Sequence, residues 1–325
     1  MQKIFIIFVL LLVSSFASAS TIDDQLQDAA KIGDVSTIKR LVKEGANVNS
    51  TNKHGESPLL IATNWNKLGA VKTLLELGAD PKYHRGGESA LFIATGRDTE
   101  IVRVLIQAGA DVNLTTEKYN YSPLGSAAAY REDAFIGLTK SGSYSGPFPN
   151  STETVRLLIK AGANVNHIDG DRMSPLRIAM ENNNIEIARL LLEAGADVNQ
   201  RVPSEDGTQR GDTILMDTVG YYSLFKNISA IKLLLDFKAN PNDRNELEYN
   251  EESELRGEGW RGYSVLGCAA RGGWKEVVEL LLSYGADPTL PRTDGKSPLK
   301  LAIENKHRQT AALIEDAIKK RYKTP

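Results

Sequence analysis

The sequence predicts an all-α fold, a solenoid of about eight helix-turn-helix units with short β-hairpin-like tips. The first observation is a recurring opening, Ser or Thr followed two residues later by Leu, at seven places that begin at positions 57, 89, 122, 174, 213, 264 and 297. The second is that six of these openings lead into a Leu-rich amphipathic run and a turn of the Gly-Ala-Asp type. A pattern that recurs at a nearly constant period indicates stacked repeats, because one helix pair cannot bury its apolar face alone.

Each repeat opens with a short helix. The hydroxyl of the first Ser or Thr is expected to cap it in all seven copies, because such oxygens accept hydrogen bonds from free amides at a helix start. Proline follows in four copies, at a position where its missing N–H costs nothing: Pro58, Pro123, Pro175 and Pro298.

A second helix follows, with Leu, Ile and Val at helical spacing. We expect it to end at a residue in the left-handed conformation, which glycine adopts without strain. Lys238 holds this place in the sixth copy, so a strained or altered turn is predicted there. The other copies have glycine: Gly78, Gly109, Gly162, Gly195 and Gly285.

The openings and turns together resemble the ankyrin repeat, whose T-P-L-H-x-A and G-A-D/N-V-N elements recur at about 33 residues. The sequence departs from this pattern in two ways: histidine is absent from the fourth position of every opening, and Ser replaces Thr in six of the seven. The resemblance implies an ankyrin-repeat solenoid that binds a protein, with hairpin tips and the ends of the first helices lining one concave side.

The predicted organisation is a signal peptide at 1–19 and a single repeat domain at 20–325. The repeats are placed near 20–51, 52–84, 85–117, 118–168, 169–200, 201–242, 243–291 and 292–325. Two of them exceed the period, because the fourth carries an insertion at 132–152 and the seventh an acidic insertion at 243–258.

The first nineteen residues have the features of an export signal. Lys3 precedes an apolar run over 4–13, and Ala17 and Ala19 form an A-x-A cleavage site. The run is shorter than the roughly 20 residues that span a bilayer. We therefore expect cleavage near Ala19, no stable membrane anchor afterwards, and a periplasmic or secreted protein; the alternative is a buried first helix.

Composition disfavours several functional classes. The chain has 39 Lys and Arg against 41 Asp and Glu, so no global positive charge favours nucleic acid. Cys268 is the one cysteine, the four histidines lie far apart, and no catalytic or nucleotide-binding motif is present. The prediction is a non-enzymatic protein with no catalytic residues, no cofactor and no metal site. Asp169 and Asp171 are interpreted as turn residues, and Cys268 as a core residue.

The two insertions suggest partner contacts. The first contains the apolar residue Phe148 among Gly, Ser and Pro, as functional Ω-like loops do. The second has a local charge of −5 and would favour a basic partner. The alternatives are a loop that packs on the solenoid edge and a mobile, solvated loop without a partner.

Tyr, Trp and Arg dominate interface hot spots and are frequent at the expected binding positions. Together with the insertion residues they form the predicted partner-binding set: Trp65, Arg97, Tyr119, Tyr121, Tyr130, Phe148, Arg210, Tyr221, Glu251, Glu252, Glu254, Trp260, Arg261 and Tyr263.

The favoured function is that of an exported immunity or antagonist protein, a monomer on its own. Its partner would be a toxin that acts in the periplasm, such as a lipase effector of a type VI secretion system. Two alternatives stay open: a periplasmic scaffold that supports another enzyme, for example in oxidative-stress defence, and a secreted effector directed at a host.

Overall fold

The structure is a computed structural model that describes residues 20–129, 151–201, 211–220, 222–246 and 261–322. The chain divides into two compact units. The described part of unit 1 is 20–117, and that of unit 2 is 118–129, 151–201, 211–220, 222–246 and 261–322. The division coincides with the predicted boundary between the third and fourth repeats.

Unit 1 consists of three helix pairs and one short hairpin. The first helices of successive pairs stack on one another, and so do the second helices. In chain order the elements are α1 (Ile22–Ile32), α2 (Val35–Lys43), α3 (Pro58–Asn64), α4 (Leu68–Glu76), β1 (His84–Arg85), β2 (Glu88–Ser89), α5 (Ala90–Thr95) and α6 (Thr99–Gln107).

Unit 2 continues the same alternation of first and second helices, with one extra short helix after α11. The elements are α7 (Pro123–Ala128), α8 (Ser151–Lys160), α9 (Pro175–Glu181), α10 (Ile185–Glu193), α11 (Ile214–Gly220), α12 (Tyr222–Phe225), α13 (Ile228–Asp236), α14 (Val265–Gly272), α15 (Lys275–Ser283), α16 (Pro298–Glu304) and α17 (Arg308–Arg321). The predicted fold class, an all-α ankyrin-type repeat solenoid, is confirmed in both units.

The first helices begin where the sequence predicts. Six serines and Thr213 accept a hydrogen bond from the amide three residues later. The four predicted prolines lie in the first turn of their helices. The Leu of the first six openings and the Ala of the six openings that have one are buried in the core, as Leu59 and Ala62 illustrate with 2% and 0% exposure.

The tips between repeats are mostly turns rather than strands. β1 and β2 pair antiparallel, with His84 opposite Ser89 and Arg85 opposite Glu88. In the rest of the described chain the tips hold two isolated bridges, Arg201 to Thr213 and Arg244 to Ser264.

Each position of the Gly-Ala-Asx-x-Asn turn has a separate task. The first residue lies at φ between 86° and 105° in the six copies that have glycine, and Lys238 adopts the same region at 70°. The predicted strain at Lys238 is therefore present, because a Cβ is unfavourable there. The alanine is buried in every copy, and the Asp or Asn accepts the amide two residues later, as Asn47 does from Asn49 at 3.0 Å.

The final asparagine joins one turn to the next. Asn49 Nδ2 donates to the Gly78 carbonyl at 3.2 Å, and Asn49 Oδ1 accepts from the Asp80 amide at 2.8 Å. We name this arrangement the asparagine ladder. Three asparagines of unit 2 make the same pair of bonds: Asn166, Asn199 and Asn242. Asn49 also lies in a glycosylation sequon, and these bonds occupy the amide that a glycan would need.

Lys82 interrupts the ladder within unit 1. Its backbone makes the same turn, since its amide donates to Asp80 Oδ1 at 2.9 Å. We expect Lys82→Asn to bridge to the Gly109 and Asp111 backbone and to raise the free energy of unfolding by about 1 kcal/mol. Urea denaturation measures the change, and Asn49→Lys should lower stability by a similar amount. A Lys82→Asn variant less stable than wild type would contradict the role assigned to the ladder.

Candidate functional site

The predicted binding residues lie at the two ends of the first helices. Tyr119, Tyr121, Arg261 and Tyr263 belong to tips that precede a first helix, whereas Trp65 follows the end of α3 and Arg97 follows the end of α5. A first helix of seven residues is about 10 Å long. The two ends of one such helix are therefore about 10 Å apart.

Two neighbouring tips of unit 2 meet in a tyrosine cluster, which we define as Tyr119, Tyr121, His167 and Asp171. The rings of Tyr119 and Tyr121 stack with their centroids 5.3 Å apart and their planes inclined by 23°. Tyr121 Oη donates to Asp171 Oδ2 at 2.5 Å, and this hydrogen bond raises the pKa of Tyr121 to about 12. The phenol therefore stays protonated and keeps the two tips joined at neutral pH.

Backbone bonds between the same tips hold the cluster in place. The Gly170 amide donates to the Tyr119 carbonyl at 2.7 Å, and a Cβ at Gly170 would lie only 2.7 Å from that oxygen. His167 Nε2 lies 2.6 Å from the Asn120 carbonyl, so Nε2 carries the proton. His167 is half-buried.

The ring of Tyr119 stacks on Tyr121 but stays partly exposed to solvent. It is 43% exposed, and the Lys118 ammonium lies 4.6 Å from its centroid. Because its main chain already ties the tips together, the side chain presents an aromatic surface on a fixed support.

Asp169 stabilises the turn of this tip, as the sequence predicts. Asp169 Oδ1 accepts from the amides of Asp171 and Met173, both at 2.9 Å. Over the described residues, no three His, Cys, Asp or Glu side chains are grouped so that they could hold a metal ion. Cys268 is fully buried in α14, where burial raises the pKa of its thiol, so its predicted place in the core is confirmed.

Tyr263 requires a correction. It is 3% exposed, so the prediction that it forms part of an exposed aromatic surface is wrong. Its hydroxyl accepts a hydrogen bond from Arg292, whose guanidinium carbon lies 4.7 Å from the ring centroid. Asp294 pairs with Arg292 at 2.6 Å, and this contact lowers the pKa of Asp294 to about 2. The next tip therefore covers the ring, and Arg261 beside it is half-buried.

In unit 1, Trp65 is half-exposed and Arg97 is half-buried. The Trp65 side chain is 51% exposed, with the Lys31 ammonium 4.8 Å from its ring centroid. Arg97 Nη2 donates to Asn64 Oδ1 at 2.8 Å. Ile32, which the sequence argument missed, is 69% exposed at the end of α1.

The sequence argument also missed a buried charge pair. Arg177 in α9 is 2% exposed, forms an ion pair with Asp217 in α11, and donates to the Asp212 carbonyl at 2.9 Å. Burial raises the pKa of Glu181 one turn later, and Arg177 partly offsets that effect. The sequence did contain a signal for this pair, because Arg177 is the fourth residue of its opening, within a first helix that is otherwise mostly buried. The pair joins two first helices, and its arginine is too buried to touch a partner.

The remaining predicted residues lie outside the described ranges, as does the signal peptide at 1–19: Tyr130, Phe148, Arg210, Tyr221, Glu251, Glu252, Glu254 and Trp260. Of the acidic insertion, 243–246 is described, and Asp243 there pairs with Arg201 at 2.6 Å. Within the described chain, no helix combines the length and the apolar character needed to cross a membrane.

Comparison with known proteins gives one family. A family model for ankyrin repeats matches residues 26–116, 148–202 and 215–323, in three copies. Ankyrin repeat and SOCS box protein 16 of Homo sapiens is 28% identical over 250 residues, which cover 76% of this chain and 47% of the relative. The putative ankyrin repeat protein FPV031 of fowlpox virus (strain NVSL) is 30% identical over 165 residues, 48% of this chain and 43% of the relative. The chain thus spans less than half the length of either relative.

We predict that Tyr263 contributes to stability rather than to partner affinity. Tyr263→Ala should lower the free energy of unfolding by about 3 kcal/mol or more, because it opens a cavity beneath Arg292. Tyr263→Phe removes only the hydroxyl and should cost about 1 kcal/mol. Urea denaturation measures both values. Stabilities equal to wild type would show the side chain to be exposed after all.

Proposed function

The chain belongs to the ankyrin-repeat family, and on that premise we propose that it is an exported protein that binds and neutralises a toxin acting in the periplasm. Ankyrin repeats bind protein partners, so the binding activity itself follows from the family. The identity of the partner as a toxin, for example a lipase effector of a type VI secretion system, is the proposed part.

The observation that carries the proposal is the tyrosine cluster. Tyrosine supplies a large contact area at a small cost in side-chain entropy. Here the Tyr119 ring is exposed while its backbone is bonded to the neighbouring tip, so little further ordering is needed on binding. Such preorganised aromatic groups are suited to act as anchors of a tight protein complex.

An antagonist needs affinity and steric cover, and it needs no chemistry of its own. A stack of repeats presents a rigid surface large enough to cover an active-site entrance. The acidic insertion at 243–258 would attract a toxin that carries a basic patch, and such steering accelerates association. The export signal at 1–19 would place the protein where the toxin acts.

The biological test compares sibling cells with and without the gene. A deletion strain attacked by wild-type siblings should lose viability, and the chain expressed with its signal should restore it. The same chain expressed without residues 1–19 should not. Equal survival of both strains, or capture of a resident periplasmic enzyme as the sole partner, would contradict the antagonist role and favour a scaffold.

We predict that Tyr119→Ala weakens partner binding by about 2 kcal/mol, roughly a 30-fold rise in Kd, because the variant removes an exposed anchor. Stability should change little, since the backbone bond from Gly170 remains. Titration calorimetry with the captured partner measures the affinity. Tyr322→Ala is the matched control, because Tyr322 is 75% exposed at the end of α17. Equal affinities for the two variants would remove the tyrosine cluster from the interface.

A further inference from the structure

The end of the first helix reveals a departure from the repeat pattern in unit 1. In unit 2, Asn182 and Asn305 occupy this place, and each donates its side-chain amide to a carbonyl of its own helix at 2.9 and 2.8 Å. Ile32, the last residue of α1, and Trp65, the residue after α3, stand at the equivalent place. They are 69% and 51% exposed, so each displays apolar surface where an asparagine would cap the helix.

A second departure lies two residues further along. The residue before a second helix caps it with a side-chain oxygen at four places: Asp34, Asp98, Asn184 and Asn227. Lys67 holds this place before α4 and makes no side-chain cap, as is also true of Trp274 before α15 and His307 before α17. A lysine there both lacks the acceptor and sets a positive charge near the positive end of the helix dipole. Lys67 therefore stabilises the start of α4 less than Asp or Asn would.

The residues at these two places, Ile32, Trp65 and Lys67, lie close together at the ends of α1 and α3. The Lys31 ammonium is 4.8 Å from the centroid of the Trp65 ring. The aliphatic part of Lys67 packs beside Gly33, with Cδ 3.1 Å from the point where a Cβ would stand. Lys31, Ile32, Trp65 and Lys67 thus form one surface across the ends of α1 and α3, which we name the Trp65 patch.

The patch carries positive charge that the surrounding chain does not neutralise. Neither Lys31 nor Lys67 has a carboxylate within ion-pair distance in the described chain. Asp28, one turn before Lys31, is exposed and pairs with neither lysine, and Asp34 is occupied by Ser36 and Thr37. Residues 20–117 have 11 basic against 13 acidic side chains, so this positive patch runs against the balance of its own unit.

We infer that the Trp65 patch binds an acidic segment of the protein partner that carries a large apolar side chain. The apolar side chain would cover Trp65 and Ile32, and carboxylates beside it would pair with Lys31 and Lys67. The inference rests on the proposed function in that it names the chemistry of one segment of the partner. It accounts for the exposed apolar surface of Trp65 and Ile32 beside two unpaired lysines.

The test uses a phage-displayed library of random 12-residue peptides selected on the full chain. Recovered peptides should be rich in Asp and Glu around Leu, Phe or Trp. Fluorescence anisotropy should give a Kd at least about 10-fold higher for Trp65→Asn and for Lys67→Asp. Lys72→Asp is the matched control for charge, because Lys72 is exposed on α4 of the same repeat, and it should bind as wild type does.

Thermal unfolding separates binding from folding. Lys67→Asp should raise Tm, because it restores the cap, and Trp65→Asn should leave Tm equal or higher. A weakened peptide interaction in a variant of undiminished stability cannot come from unfolding. Basic peptides, peptides that bind all variants equally, or the recovery of no peptide that depends on Trp65 would overturn the inference.

The outcome is distinguishable from that of the proposed function. A captured partner that loses affinity in Tyr119→Ala but not in Trp65→Asn would keep the proposed function and reject the Trp65 patch. Acidic peptides that depend on Trp65, found with sibling cells that survive equally, would keep the patch and reject the antagonist role.

Discussion

The structure depends on a single repeated contact, the two hydrogen bonds by which the last asparagine of one turn binds the backbone of the next. The asparagine side chain donates a hydrogen bond to a carbonyl of the next turn and accepts one from the amide two residues after that carbonyl. The two bonds together fix both the distance and the register between neighbouring turns. Each such bond is worth about 1 kcal/mol. Its larger effect is geometric, because helices held in register present the same face from one repeat to the next.

Because the repeats are held in register, equivalent residues of different repeats can be compared, and a residue that differs at such a place can indicate a functional role. Asn182 and Asn305 show what the end of a first helix requires, and Asp34 and Asp98 show what the start of a second helix requires. A residue that fails such a requirement lowers stability, and proteins accept that loss most often where function needs it. In the tyrosine cluster, a main-chain hydrogen bond joins the two tips, and the Tyr119 ring stays partly exposed.

The repeats, their caps and the buried Leu and Ala could be predicted because local spacing alone determines them. Burial at the tips could not, because it depends on side chains from another repeat. Tyr263 and Tyr119 are both tyrosines at tips, yet Arg292 from the next tip covers the first and nothing in the described chain covers the second to that extent. The Arg177–Asp217 pair and the exposed Ile32 were missed for the same reason. The predicted glycine and serine roles needed only neighbours along the chain.

We expect partners to bind at the tyrosine cluster and the Trp65 patch, and hydrogen–deuterium exchange of the chain with and without its captured partner tests this most directly. Exchange should become slower at 118–121 and 169–173 in unit 2 and at 31–33 and 64–67 in unit 1. Exchange in the second helices α2 and α4 should change little. Protection concentrated on those second helices, with the tips and first-helix ends unaffected, would contradict the claim.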